Sequence, residues 1–85
     1  MATLTVTIKN MKFDPNSLAV KSGDSVVWKN DDRKTHTATA DSGSVPDTGD
    51  IETGKSSSPQ KFPSAGTYKY HCEYHPMMKG QITVS

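Results

Sequence analysis

Leu4, Val6 and Ile8 alternate with Thr3, Thr5 and Thr7 at the start of the chain. A period of two predicts a strand with one face on a core and the other in water. Leu18 and Val20 carry a second such run, Ser22-Gly23-Asp24 a turn, and Val26 and Trp28 a third run, with Pro15 and Gly23 as punctuation. Further on, His36, Ala38 and Ala40 alternate with Thr35, Thr37 and Thr39; if the alanines face inward, so does His36. The segment 41–58 is rich in Ser, Gly, Asp and Thr, with Val45 and Ile51 as its apolar anchors. It reads as a long surface loop with a short strand near Ile51. Strand character returns in Gln60-Lys61-Phe62-Pro63 and, after a Ser-Ala-Gly turn, in 67–72, where Tyr68, Tyr70 and Cys72 share one face and Lys69 and His71 the other. After Gly80, Ile82 and Val84 point inward. No helical period of useful length occurs. Seven to eight short strands at this spacing predict an all-β fold, a small antiparallel Greek-key sandwich or barrel, in one domain over 1–85.

Composition narrows the function. The chain has 85 residues, short enough that one small core must serve the whole molecule. Ten basic and nine acidic residues are scattered along it, for a formal charge of +1, and no basic cluster is interleaved with aromatics. Nucleic acid is therefore not an expected partner. The apolar runs are far too short for a membrane span, and the start Met-Ala-Thr-Leu-Thr-Val lacks the regions of a signal peptide. An exported form would have had a leader removed or replaced. With Cys72 as the single cysteine, no internal disulfide is possible. That thiol is then inert and buried, paired with another chain, or used as a ligand or nucleophile.

The stretch YKYHCEYHPMMKG, residues 68–80, concentrates the chemistry. Cys72, His75 and Met78 stand three residues apart just after a strand. Pro76 cannot donate a backbone hydrogen bond and Gly80 opens the next strand, so a tight loop with at most one helical turn fits better than a helix. Such a loop can wrap its side chains around a single point. A thiol, an imidazole and a thioether form a soft donor set, and an inward-facing His36 adds a second imidazole. Two histidines, a cysteine and a weak axial methionine suit copper. Zinc also accepts two histidines and a cysteine, but methionine is not among its usual ligands. Other readings stand beside this one. A cysteine ending a strand is often a small buried hydrophobe, and paired methionines are often gap-fillers in a core. A lone histidine is often simply solvated, which is the reading for His71, opposite in face to Cys72. Cys72 and His75 could also be a nucleophile and its base, but such a hydrolase needs a cleft, an oxyanion site and an orienting third residue that these strands do not obviously provide.

The chain resembles the cupredoxins, the blue-copper group that includes plastocyanin and amicyanin. FDPNSLAVKSGDSVVWKND is similar to the family's second and third strands, AGTYKYHCEYHPMMKGQITV to its last two strands and ligand loop, and THTAT falls where the upstream ligand histidine belongs. The C-x-x-H-x-x-M spacing is most similar to that of amicyanins. The resemblance implies a copper ion held by His36, Cys72 and His75 in the equatorial plane and by Met78 axially, with Met77 one residue short. It implies a carrier of single electrons through Cu(I) and Cu(II) rather than an enzyme, with copper delivery or storage, or a domain excised from a larger copper enzyme, as alternatives. Redox partner proteins would dock near His75, the expected electron port, where Pro76 and Met77 supply apolar contacts; His71 would be a weaker second exit. A monomer in the periplasm or another extracytoplasmic space is expected. Where the family often has asparagine after the upstream histidine, tying the two ligand-bearing loops together, Thr37 stands here, and its hydroxyl is expected to do part of that work. The acids Asp41, Asp47, Asp50 and Glu52 read as a solvated loop, with guidance of a basic partner as the alternative.

Overall fold

The computed structural model describes residues 2–85. Its strands are β1 (Thr3–Lys9), β2 (Lys12–Asp14), β3 (Ser17–Val20), β4 (Ser25–Asn30), β5 (Thr39–Ala40), β6 (Gln60–Lys61), β7 (Gly66–His71) and β8 (Lys79–Val84), and there is no helix among the described residues. They form two four-stranded sheets, ordered β2-β1-β4-β6 and β3-β8-β7-β5, as expected of an all-β sandwich. The expectation of purely antiparallel pairing is corrected: β1 runs parallel to β4, with Val6 opposite Trp28, and β3 runs parallel to β8, with Leu18 opposite Ile82. Alternation within a strand fixes which face is buried, but not which neighbour it pairs with or in what direction. Here the chain passes from one sheet to the other between β2 and β3 and again between β3 and β4, so β4 returns beside β1 running the same way.

The inward faces are those of the sequence pattern. Val6 and Ile8 of β1, Val26 and Trp28 of β4, Tyr70 of β7 and Ile82 and Val84 of β8 are all buried, with Phe13, Val20 and Phe62 closing the edges. Leu4, Leu18, Val45 and Tyr68 pack against this cluster from its margin. At its centre Tyr70 meets Trp28 edge-on, centroids 5.1 Å apart, and Phe13 at 4.8 Å. These are the offsets that aromatic quadrupoles favour. Gly80 lies directly across from Tyr70 on β8. A Cβ there would sit 2.5 Å from both Tyr70 Cζ and Oη, so only glycine lets the phenol lie flat against that strand. Burial pushes the Tyr70 phenol up to about 12, and the nearby Trp28 indole, which falls short of hydrogen-bond geometry, offsets only part of this.

The 41–58 loop is largely exposed but pinned at intervals. Isolated bridges join Thr39 to Asp47, His36 to Ile51 and Lys29 to Ser56. The short strand expected near Ile51 is thus a single bridge, with Ile51 buried beneath it. At the opposite margin Asp24 accepts the Ala2 and Lys21 amides at 2.8 and 3.0 Å. Those two bonds hold its carboxyl below the usual carboxylate range and pin the turn before β4 to the start of β1.

Candidate metal centre

The loop between β7 and β8 closes on itself in steps of three. The His75 amide donates to the Cys72 carbonyl at 3.2 Å, the Met78 amide to the His75 carbonyl at 2.8 Å, and the Cys72 amide back to the Met78 carbonyl at 3.1 Å. These bonds turn the C-x-x-H-x-x-M spacing into a ring of backbone without a helix. Cys72 becomes wholly buried, Met78 5% exposed and His75 half-buried, while Met77 is thrown outward at 94% exposure. Cys72 and Met78 belong to the same buried cluster.

His36 reaches the same place from the other loop. Its backbone exchanges hydrogen bonds with Ile51, at 3.2 and 2.7 Å, and its ring is fully buried. Because β5 pairs with β7, Thr39 against His71, the segment leading into β5 lies beside the end of β7. The Nδ1 atoms of His36 and His75 stand 3.6 and 3.7 Å from Cys72 Sγ, and the three donor atoms all lie within 4.8 Å of one another. Residues 36 and 72 meet through the fold, not through the sequence.

The separations fit a metal ion. Bond lengths of about 2.0 Å to nitrogen and about 2.3 Å to sulfur, at an angle between tetrahedral and trigonal, put the two donors about 3.5–3.7 Å apart. The observed Sγ–Nδ1 distances fall in that interval. One buried thiol and two imidazoles, with a buried methionine beside them, form the donor set that suits copper. The Thr37 amide also donates to Cys72 Sγ at 3.4 Å, a direct tie between the His36 segment and the cysteine.

Two neighbours complete the surroundings: Thr37, whose hydroxyl ties the two ligand-bearing loops as the resemblance implied, and Asp32. The alternation puts Thr37 on the solvent side, yet it is 1% exposed. Its Oγ1 accepts the Glu73 amide at 2.9 Å, so the threonine hydroxyl ties the His36 segment to the Cys72 loop, and it also lies 3.0 Å from Thr39 Oγ1. Asp32, in the polar run Asp31-Asp32-Arg33-Lys34, places its Oδ2 2.9 Å from His36 Nε2. That contact, with the Arg33 amide and a lesser contribution from the Met11 amide, holds the Asp32 carboxyl below the usual range. Nothing in local periodicity signals either contact. His71 faces away from Cys72 as expected, but it is paired rather than free: its Nδ1 lies 2.6 Å from Asp41 Oδ1. Tyr74 donates to Asp50 at 2.7 Å, which raises its phenol above the ordinary value.

A buried thiol between two imidazoles at one end of a two-sheet sandwich is a family signature, and the chain belongs to that family: the model of the cupredoxin-like domain matches residues 1–84. It is similar to amicyanin of Paracoccus denitrificans, 33% identical over 84 residues that cover 95% of this chain and 64% of that sequence. It is also similar to plastocyanin of Scenedesmus fuscus, 38% identical over 84 residues, 85% of each chain. The chain thus spans just under two thirds of the Paracoccus denitrificans sequence. Among solved structures, the Cu(I) form of an amicyanin point mutant superposes with a TM-score of 0.89 at 31% identity, covering 98% of this chain and 82% of that one.

Proposed function

We propose that this protein is a mononuclear type 1 copper protein that carries single electrons between redox partners, with His36, Cys72, His75 and Met78 as the residues that would hold the copper. The observation that carries the reading is the approach of two imidazole Nδ1 atoms to one buried thiol, 3.6 and 3.7 Å away. Bound copper supplies a one-electron couple between Cu(I) and Cu(II). The protein's own task is to hold the donors still. His36 is fixed by its backbone bonds with Ile51 and Cys72 by its backbone bonds with Met78 and His75, and the burial of His36, Cys72 and Met78 excludes water from the donor set. Donors that barely move between oxidation states keep the reorganisation on electron transfer small. The Thr37 amide on Cys72 Sγ tunes the sulfur, as outer hydrogen bonds do at metal sites.

Half-buried His75 lies between the interior and the surface, with exposed Tyr74, Pro76 and Met77 around it in the chain. This rim is the docking surface for a redox partner protein, and His75 is the port. The reading takes 1–85 as one domain, monomeric and not an enzyme, working in the periplasm or another extracytoplasmic space; the family match over 1–84 supports the single domain.

Voltammetry of the copper-loaded protein tests the assignment. A reversible one-electron wave, retained in the presence of a chelator and absent from Cys72→Ser, is expected. Ready loss of copper to an acceptor apoprotein, without a reversible wave, would instead indicate a delivery protein.

A further inference from the structure

We propose that Asp32 is the positioning carboxylate of this centre: it accepts the Nε2–H of His36, fixes the tautomer whose Nδ1 lone pair faces Cys72, and sets a negative charge behind the buried ring that favours oxidised copper. The inference rests on the copper reading above and deepens it.

The geometry is built rather than incidental. His36 Nε2 and Asp32 Oδ2 are 2.9 Å apart, with side chains 0% and 15% exposed, so water has little access to replace the carboxylate. A neutral imidazole carries one N–H, and the nitrogen that keeps it is set by the partner of the other. A carboxylate at Nε2 demands the proton there and leaves Nδ1 as a lone pair, and Nδ1 is the atom 3.6 Å from Cys72 Sγ. Asp32 is itself held from three directions. Oδ2 also accepts the Met11 amide at 3.0 Å, Oδ1 accepts the Arg33 amide at 2.8 Å, and the Asp32 amide donates to Asn30 Oδ1 at 2.8 Å. Asn30 is fully buried and donates Nδ2 to the carbonyls of Lys34 and Ile51, both at 2.7 Å. The Ile51 carbonyl also receives the His36 amide, so one asparagine fixes both the carboxylate and the backbone of the histidine it serves. The Met11 amide is presented by a turn in which Asn10 and Met11 both adopt left-handed φ, 54° and 60°. Non-glycine residues seldom occupy that region, and two in succession is a conformation the surroundings must hold in place.

The charge has a direction. With a thiolate ligand, the Cu(II) site carries one positive charge more than the Cu(I) site, so a fixed carboxylate behind His36 stabilises the oxidised form and lowers the potential. Removing an outer carboxylate of this kind typically weakens metal binding about 10–100-fold. Where the loss falls on Cu(II), each tenfold step is about 59 mV for one electron.

The test compares the wild type with Asp32→Asn and Asp32→Ala. Cu(II) affinity is measured by competition, the potential by voltammetry, and the melting of the copper-free protein as a control for folding. A Cu(II) affinity at least about tenfold lower and a raised potential are expected in both variants. In the Cu(I) wild type the Nε2–H proton of His36 should resonate well downfield of that of His75 and move upfield in Asp32→Ala. Unchanged potential and affinity in folded variants would reduce Asp32 to a loop cap and overturn the proposal. If the variants do not fold, the wild-type proton decides, and a His36 Nε2–H resonance like that of His75 overturns it. A wild type that takes no Cu(II) removes the copper reading together with this one, whereas a blue wild type with an indifferent Asp32→Asn removes this one alone.

Discussion

Replacing Thr37 by valine keeps the shape of the side chain and removes only the hydroxyl. In the wild type that oxygen accepts the Glu73 amide at 2.9 Å, in a residue 1% exposed. Valine offers no acceptor, so the Glu73 amide, part-buried in this bond, loses its protein partner. An amide left unpaired in this way costs about 1–3 kcal/mol. Thr39 also loses a partner for its hydroxyl, but it is half-buried and can turn to solvent, so the lower half of that range, about 1–2 kcal/mol, is expected. Urea unfolding of the copper-free protein is the assay. With an m-value of about 1 kcal/mol/M for so small a chain, the midpoint should fall by about 1–2 M. Thr37→Ser keeps the oxygen and should recover most of the loss. The copper-loaded valine variant should also exchange its metal faster, because the link between the two ligand-bearing segments is gone. A valine midpoint within about 0.3 M of the wild type would refute the claim that this hydroxyl joins the loops.

Gly80→Ala should destabilise by about 1–3 kcal/mol or more in the same assay, since its Cβ would fall 2.5 Å from a Tyr70 ring wedged between Phe13 and Trp28. Tyr70 also predicts a pH dependence. Its phenol is raised to about 12 in the fold against about 10 in the unfolded chain, so above pH 10 the unfolded state loses the proton first and is favoured. Up to about 3 kcal/mol of stability, complete below pH 10, should be lost between pH 10 and 12. Tyr70→Phe should lack that loss, and it should be no less stable at neutral pH because the buried hydroxyl has no partner. Met77→Lys, at the exposed rim, should change stability by less than about 0.5 kcal/mol and leave the absorption spectrum intact while altering the rate of electron exchange with a partner protein, read by stopped flow.

The inward faces were legible because burial on one side of a strand imposes a period of two, which Val6, Ile8, Trp28, Tyr70 and Ile82 all obey. The Cys72 loop was legible because soft donors at fixed spacing are rare in a surface loop. His36 could be read by extending the alanine alternation back to it and from the resemblance that puts THTAT where the upstream ligand histidine belongs. What stayed hidden depends on pairing between distant segments. The parallel β1–β4 ladder, the burial of Thr37 and the approach of Asp32 to His36 all arise from which strands become neighbours. Local pattern misleads at Thr37, whose place in the alternation is an outward one, and is silent at Asp32, which lies in the charged run 31–34. Gly80 reads as punctuation at the start of a strand, and its true constraint is the ring across the ladder.

The central claim, that His36, Cys72, His75 and Met78 form a type 1 copper site, is tested most directly by an absorption spectrum after one equivalent of Cu(II) is added to the copper-free protein. The account predicts an intense blue colour that saturates at one copper per chain and disappears in Cys72→Ser; a colourless wild type, or a Cys72→Ser variant with the same spectrum, would contradict it.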